Sequence, residues 1–133
     1  MNTIYAREDF LAADEYIDVC RKSGLGRPVD DRSRVERMLS HSNLYVTARQ
    51  DGKLVGFARS LTDFCWCCYL SDLAVDKACQ GQGIGKRLIE ETRAAAGGEI
   101  TTTLLLSAPT AVSFNQGIKM PQADNAYLYR RQK

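Results

Sequence analysis

Tyr69-Leu70-Ser71-Asp72-Leu73-Ala74-Val75 leads, four residues later, into Gln80-Gly81-Gln82-Gly83-Ile84-Gly85-Lys86-Arg87, and the reading of this passage decides the fold. Its first half is apolar enough for a buried strand. Its second half is rich in glycine and opens onto Ile84, Leu88, Ile89, Thr92 and Ala96, which recur at helical spacing until Gly97-Gly98 ends the run. A strand, a glycine turn and a helix start in succession leave backbone N–H groups without intrahelical partners around one point. The helix dipole adds about half a positive charge there. Such a point attracts an anion. Gly81, Gly83 and Gly85 allow the close approach and the positive φ values that a backbone cradle needs, and Lys86 and Arg87 can reinforce a phosphate electrostatically.

Two familiar phosphate motifs do not fit. A Walker A loop needs glycine where Gln80 stands and serine or threonine where Arg87 stands. A dinucleotide fingerprint needs glycine where Lys86 stands. A nucleotide-binding protein is therefore disfavoured.

Outward from this passage, the chain alternates helical and extended patterns. Glu8 to Ser23 is a moderate helical pattern stopped by Gly24. Gly24-Leu25-Gly26-Arg27-Pro28 is a loop, and Asp30 or Asp31 can cap a second helix carrying Val35, Met38 and Leu39 on one face. Leu44 to Arg49 reads as a strand, Asp51-Gly52 as a hairpin turn, and Lys53 to Leu61 as the return strand. Phe64 to Val75, apolar on both parities, is expected to be a central strand covered on both faces. Thr101 to Ser107 is expected as another buried strand, Thr110 to Gln116 as a short helix, and Tyr127-Leu128-Tyr129 as a last strand near the surface. No repeat, linker or low-complexity tract interrupts this order. The pattern is that of one α/β (α+β) domain spanning residues 1–133.

Composition agrees with that reading and narrows it. In 133 residues, 18 Lys and Arg against 16 Asp and Glu leave a formal charge of +2, too even for a polyanion partner, so no nucleic acid is expected. A chain of this length buries roughly two-thirds of its surface on folding and needs no staples. Cys20, Cys65, Cys67, Cys68 and Cys79 are odd in number, no second Cys-x-x-Cys pair accompanies Cys65–Cys68, and the only histidine, His41, is distant. They read as free thiols acting as small hydrophobes, with no metal. The first residues show no basic segment followed by an apolar one. The longest strictly apolar run, Phe64 to Leu70, is far below the roughly 20 residues of a membrane span. A cytoplasmic protein without membrane contact, monomeric or homodimeric, is expected.

Gln80-x-x-Gly83-x-Gly85 matches the (Gln/Arg)-x-x-Gly-x-(Gly/Ala) signature of the GNAT family of N-acetyltransferases. The preceding Tyr69 to Val75 resembles that family's fourth strand, and Ala111-Val112-Ser113-Phe114 resembles the segment after its fifth. The order of elements is similar along nearly the whole chain, most strongly from Leu44 to Phe114. The resemblance implies a central mixed, mostly antiparallel sheet flanked by helices, with a splay between strands four and five.

It also implies chemistry. Gln80, Gly81, Gln82, Gly83, Ile84, Gly85, Lys86 and Arg87 would bind the pyrophosphate of acetyl-CoA, chiefly through main-chain N–H groups. Leu73, Ala74 and Val75 would offer backbone to the pantetheine amides. Acetyl would pass directly from the thioester to a primary amine of a small molecule or peptide. That amine, with a reference pKa near ~10.4, must lose a proton before it attacks. Asp72 is the better candidate for base or amine binder, ahead of Asp63. The oxyanion needs a donor such as a strand-four amide. Many family members place a tyrosine after the Ala-x-x-Phe segment to protonate the departing sulfur, but here Asn115 follows Phe114. An amide can hydrogen-bond to a thiolate but cannot protonate it. Water, Tyr127 or Tyr129 would then serve, or the thiolate, with a reference pKa of about 8.5, leaves unassisted. The departure at Asn115 motivates a second reading, a non-catalytic acyl-CoA-binding or regulatory module. Arg21 to Ser42 would form much of the acceptor wall, and its mixed charges favour no substrate class.

Overall fold

The computed structural model describes residues 2–107 and 118–133. Five strands form one sheet in the order β1-β2-β3-β4-β5: β1 Thr3–Glu8, β2 Leu44–Gln50, β3 Lys53–Thr62, β4 Cys67–Val75 and β5 Thr102–Leu105. Three helices, α1 Ala13–Ser23, α2 Arg32–Ser40 and α3 Ile84–Ala95, complete the architecture. The first four strands pair antiparallel, and β4 pairs parallel to β5 because α3 crosses over between them. The expected mixed, mostly antiparallel sheet is present.

The layers follow from the apolar patterns. On one face, α1 and α2 bring Tyr16, Val19, Val35 and Leu39 onto Tyr45, Leu54, Phe57 and Ala74. On the other, α3 brings Ile84, Leu88 and Ile89 onto Leu44, Val46, Ala58 and Leu70. The strands covered on both faces are β2 and β3, which are buried at nearly every position. The expectation of such a strand at Phe64 to Val75 is corrected. β4 begins only at Cys67, and its burial alternates. Residues 63–66 form a turn held by Asp63, whose Oδ1 accepts from the backbone N–H of Cys65, Trp66 and Cys67. These bonds lower its pKa to about 2. Apolar residues occur on both parities of β4 because the strand changes face. Ser60 pairs with Leu70 and Arg59 with Asp72, so Ser71 is an extra residue, a β-bulge. Before it, Cys68 and Leu70 pack on the α3 side; after it, Ala74 packs on the α1 side.

Other expectations are met or corrected locally. Asp51 (φ 51°) and Gly52 (φ 80°) make the positive-φ hairpin turn that their sequence predicts. Asp31 caps α2, its side chain accepting from the Arg34 N–H. The first helix starts at Ala13 rather than Glu8, because Thr3–Glu8 pairs with β2 as a strand that sequence reading missed. The last expected strands differ too. β5 is a half-exposed edge of four residues, not a buried strand from Thr101 to Ser107. Residues 118–133 contain no strand, and Tyr127 and Tyr129 are fully exposed. The expected helix at Thr110 to Gln116 lies outside the described residues. All five cysteines are free; Cys20 and Cys68 are buried as expected, whereas Cys65 and Cys67 are exposed. Burial pushes the Cys20 thiol up to about 11.

Candidate acyl-transfer cleft

The site begins where β4 loses a partner. β5 accompanies it from Cys67 to Leu70 and stops at Leu105, so Ser71 to Val75 have no strand on that side among the described residues. The opening is a cleft of about 800 Å³, bordered by the free length of β4, the loop after Cys79, the start of α3 and the end of β5. The tail residues Leu128 to Arg131 and the loop from Ser23 to Arg27 also reach it. The splay expected between strands four and five is therefore a cavity. A smaller hollow of about 340 Å³ on the α1–α2 surface is lined by Asp14, Asp18, Arg21 and Arg32 and touches neither β4 nor the glycine loop.

At one end of the cleft the chain turns through the 3-10 turn Lys77–Cys79 into α3. Asp76 caps that turn by accepting from the Ala78 N–H at 2.9 Å. The loop is pinned from two sides. Gln80 Nε2 donates to the Val75 carbonyl at 3.2 Å, tying the loop to the end of β4. Gln50, at the end of β2, donates to Gln82 Oε1 at 3.2 Å on the other side. Gly81 (φ 83°) and Gly83 (φ 78°) sit in the left-handed region that disfavours side chains. Gly83 is the N-cap of α3, and no side chain caps the helix. The first intrahelical bond there is Arg87 N–H to the Gly83 carbonyl. Among the described residues no side chain caps the N–H groups of the first turn, which lie at the positive end of the dipole.

The predicted loop residues divide. Gln80, Gly81, Gly83, Ile84 and Gly85 line the cleft, as do Leu73, Ala74 and Val75. Gln82 does not, and neither do Lys86 and Arg87. Lys86 Nζ lies 3.9 Å from Glu90. Arg87 donates to Glu91 at 2.8 Å, and its guanidinium stacks 4.8 Å over the Tyr5 ring. The charge expected from these two side chains is neutralised on the outer face of α3. What this end of the cleft presents is the glycine backbone and Gln80.

At the other end, beside the β4 bulge, Asp72 is fully buried. Its Oδ2 accepts from Tyr16 Oη at 2.6 Å and from Arg59 Nε at 2.6 Å, and its Oδ1 accepts from Arg27 Nε at 2.6 Å. Burial alone raises a carboxyl's pKa. Here the hydrogen bond and charge of Arg59, then the charge of Arg27 and the Tyr16 hydroxyl, outweigh it and hold Asp72 below the usual range. Burial first, then the charge and hydrogen bond of Asp72, push the Tyr16 hydroxyl far up, against the opposing charge of Arg59. With Ser71 Oγ also donating to Oδ1 at 3.4 Å, a carboxylate that accepts from four donors and is biased toward its ionised form is poorly placed to take a proton. Asp72 organises two guanidiniums instead. Asp63 is spent on its own turn. Tyr127 does not line the cleft, whereas Tyr129 and Tyr69 do. Asn115 lies outside the described residues. His41 caps α2 at its C-terminal end, its ring Nδ1 2.8 Å from the Arg37 carbonyl.

Sequence reading missed Arg27 as a distinct group within the acceptor wall. No local signal marks it, because its partners Ser71 and Asp72 lie 44 and 45 residues away. Among the described residues no group of three or more His, Cys, Asp or Glu is placed to hold a metal ion. No described helix is long and apolar enough to cross a membrane.

Residues 11–117 match the family model described as "Acetyltransferase (GNAT) family". The chain belongs to that family. Among curated proteins, the chain is 35% identical over 71 residues to the chloroplastic GCN5-related N-acetyltransferase 2 of Arabidopsis thaliana, a stretch that is 53% of this chain. It spans only 28% of that relative's length. Among solved structures it is similar to a GNAT-family acetyltransferase from Streptococcus pneumoniae, at TM-score 0.78 and 18% identity, covering 99% of this chain and 100% of that one. It is also similar to an aminoglycoside N-acetyltransferase solved with CoA, at TM-score 0.71 and 16% identity over 99% of this chain and 96% of that one. At such identities these two likenesses carry the family's fold and not its substrates.

Proposed function

We propose that this GNAT-family chain is an acetyl-CoA-dependent N-acetyltransferase that passes acetyl to a primary amine by direct attack in a ternary complex. One observation carries the reading: the length of β4 after Leu70 that no described strand pairs on the β5 side and the start of α3 open onto one cleft. A diphosphate fits the α3 end, where Gly81, Gly83 and Gly85 let it approach the first-turn N–H groups. An extended arm carrying amides fits the strand edge at Leu73, Ala74 and Val75, where backbone pairs with backbone. That a protein of similar fold was solved in complex with CoA supports acetyl-CoA as the ligand of such a cleft.

The transfer needs little more from side chains. The amine nitrogen attacks the thioester carbonyl, and a β4 amide near the bulge steadies the oxyanion. The C–N bond forms, the C–S bond breaks, and the proton lost by nitrogen passes to the sulfur. No Asp or Glu is among the described residues lining the cleft, so water takes the amine proton. The thiolate leaves as a weak base and is reprotonated by solvent or by the hydroxyl of Tyr129 or Tyr69.

Acetyl-CoA at millimolar concentration is expected to raise the melting temperature, and supplying an amine panel is expected to release free thiol. No thermal shift would sink the reading. A shift with no turnover of any amine would instead favour a non-catalytic acyl-CoA-binding module.

A further inference from the structure

Arg27 leaves the α1–α2 loop between Gly26 and Pro28 and crosses to the bulge of β4. Its Nε donates to Asp72 Oδ1 at 2.6 Å, its Nη1 to the Gly26 carbonyl at 2.6 Å, and its Nη2 to the Ser71 carbonyl at 2.9 Å. A guanidinium has five N–H donors. Three are used, the side chain is 26% exposed, and the residue lines the cleft. We propose that the acceptor amine also carries a carboxylate, and that the two remaining donors of Arg27 bind it. The proposal rests on the transferase reading above and names the substrate class of that same site.

Charge is the first support. One carboxylate, Asp72, is shared by two guanidiniums, Arg27 and Arg59. The buried cluster is therefore one positive charge in excess, and the Tyr16 hydroxyl that completes it is neutral. Arg27, 26% exposed, presents that excess charge at the cleft wall, where an incoming carboxylate gains charge-assisted hydrogen bonds. The rest of the cleft points the same way. Its described lining contains Arg27, Arg130 and Arg131 and no acidic residue. A polycationic acceptor would bring ammonium groups to three guanidiniums and find no carboxylate.

Position is the second support. From Ser71, which Arg27 touches, to Val75, where the strand ends, is about 13 Å at the rise of a strand. The glycine loop begins beyond that. Arg27 is thus remote from the diphosphate cradle and stands where the free edge of β4 begins. A carboxylate on its planar fork, the geometry that favours bidentate binding, directs a neighbouring amine toward the gap between β4 and β5. The acceptor's carboxylate is unchanged by the reaction; only its nitrogen exchanges a proton for acetyl.

The test compares free amino acids with their carboxamides, alongside spermidine and an aminoglycoside. Two readouts are taken: thiol release with acetyl-CoA, and calorimetric binding to the CoA-loaded protein. Carboxylates are expected to exceed matching carboxamides by at least about tenfold in kcat/KM or in affinity. Arg27→Gln is expected to bring that ratio close to one, mostly through KM, while Arg27→Lys keeps part of it. Should Arg27→Gln fail to fold, the ratio measured on the unaltered protein still decides. A ratio near one in both readouts, or polycations preferred over every carboxylate, overturns the proposal while leaving acetyl transfer standing. Absence of any response to acetyl-CoA removes the transferase reading, and this proposal falls with it.

Discussion

At the α3 end of the cleft, positive potential belongs to the backbone: an uncapped helix start, two glycines at positive φ, and side chains of Lys86 and Arg87 turned outward to Glu90 and Glu91. At the Arg27 end it belongs to side chains, two guanidiniums drawn from distant segments onto one buried carboxylate. The first arrangement is built from residues close in the sequence, held by Gln80 on Val75 and by Gln50 on Gln82, and is indifferent to the chain's net charge. The second depends on α1, the α1–α2 loop, β3 and β4 meeting correctly. Each can therefore be broken separately.

Asp72→Asn is expected to have the largest effect. It removes the shared anion and leaves two guanidiniums facing one another, a loss on the scale of about 3–5 kcal/mol for a buried pair missing one partner. Denaturant unfolding measures it. The pH dependence has a defined sign. Asp72 is held below its unfolded value near ~3.9, so its contribution is complete above that pH and is lost as pH falls through the lower folded value. The unaltered protein should lose this component in acid, and Asp72→Asn should lack it. A small change in stability would mean that the cluster does not hold this end of the cleft together.

Gly56→Ala strikes the other end by packing rather than charge. A Cβ at Gly56 would stand 3.1 Å from the Ala74 carbonyl oxygen and 3.3 Å from both Ile84 and Leu88. β3 must shift or α3 must lift, at a cost of about 1–3 kcal/mol, and the start of α3 moves relative to β4. Both stability and acetyl-CoA affinity should fall. Unchanged affinity would show that the loop does not depend on how α3 sits on the sheet.

Gly83→Ala separates loop conformation from packing. Nothing lies within 4 Å of a Cβ there, so the whole cost is the left-handed φ of 78°, about 1–2 kcal/mol. Acetyl-CoA affinity, read by calorimetry, is expected to drop more than about tenfold, because relaxing this one φ redirects the first-turn N–H groups.

The contrast between the two ends also explains what the sequence discloses. The glycine loop, α3 and the Asp51-Gly52 hairpin are legible because each is fixed by residues within a few positions of one another. The splay followed from resemblance to a family, not from the residues. β1 escaped notice because Thr3–Glu8 is an edge strand whose pairing with β2, from Glu8–Tyr45 to Thr3–Gln50, is far along the chain and has no local signature. The face change at Ser71 was hidden for the same reason: a bulge is a relation between two strands, visible only when Arg59 is seen opposite Asp72. Asp72 itself was picked out, as a base or amine binder. Its two arginine partners, which make it a poor base, come from other elements.

The smallest expected effect is the sharpest check on where the charge resides. Lys86 and Arg87 are the residues a sequence reader would credit with holding phosphate, yet both are exposed and paired one turn onward with glutamates. Exposed pairs of this kind contribute little, and what they contribute is screened by salt. The double substitution Lys86→Gln with Arg87→Gln should therefore change acetyl-CoA affinity by less than about threefold at physiological salt. It should be measured beside Gly83→Ala, which keeps every charge and alters only backbone. If the double variant loses more affinity than Gly83→Ala, the side chains leave their glutamates to reach the ligand and the cradle is electrostatic after all. If the order is as expected, the anion site is built from peptide dipoles.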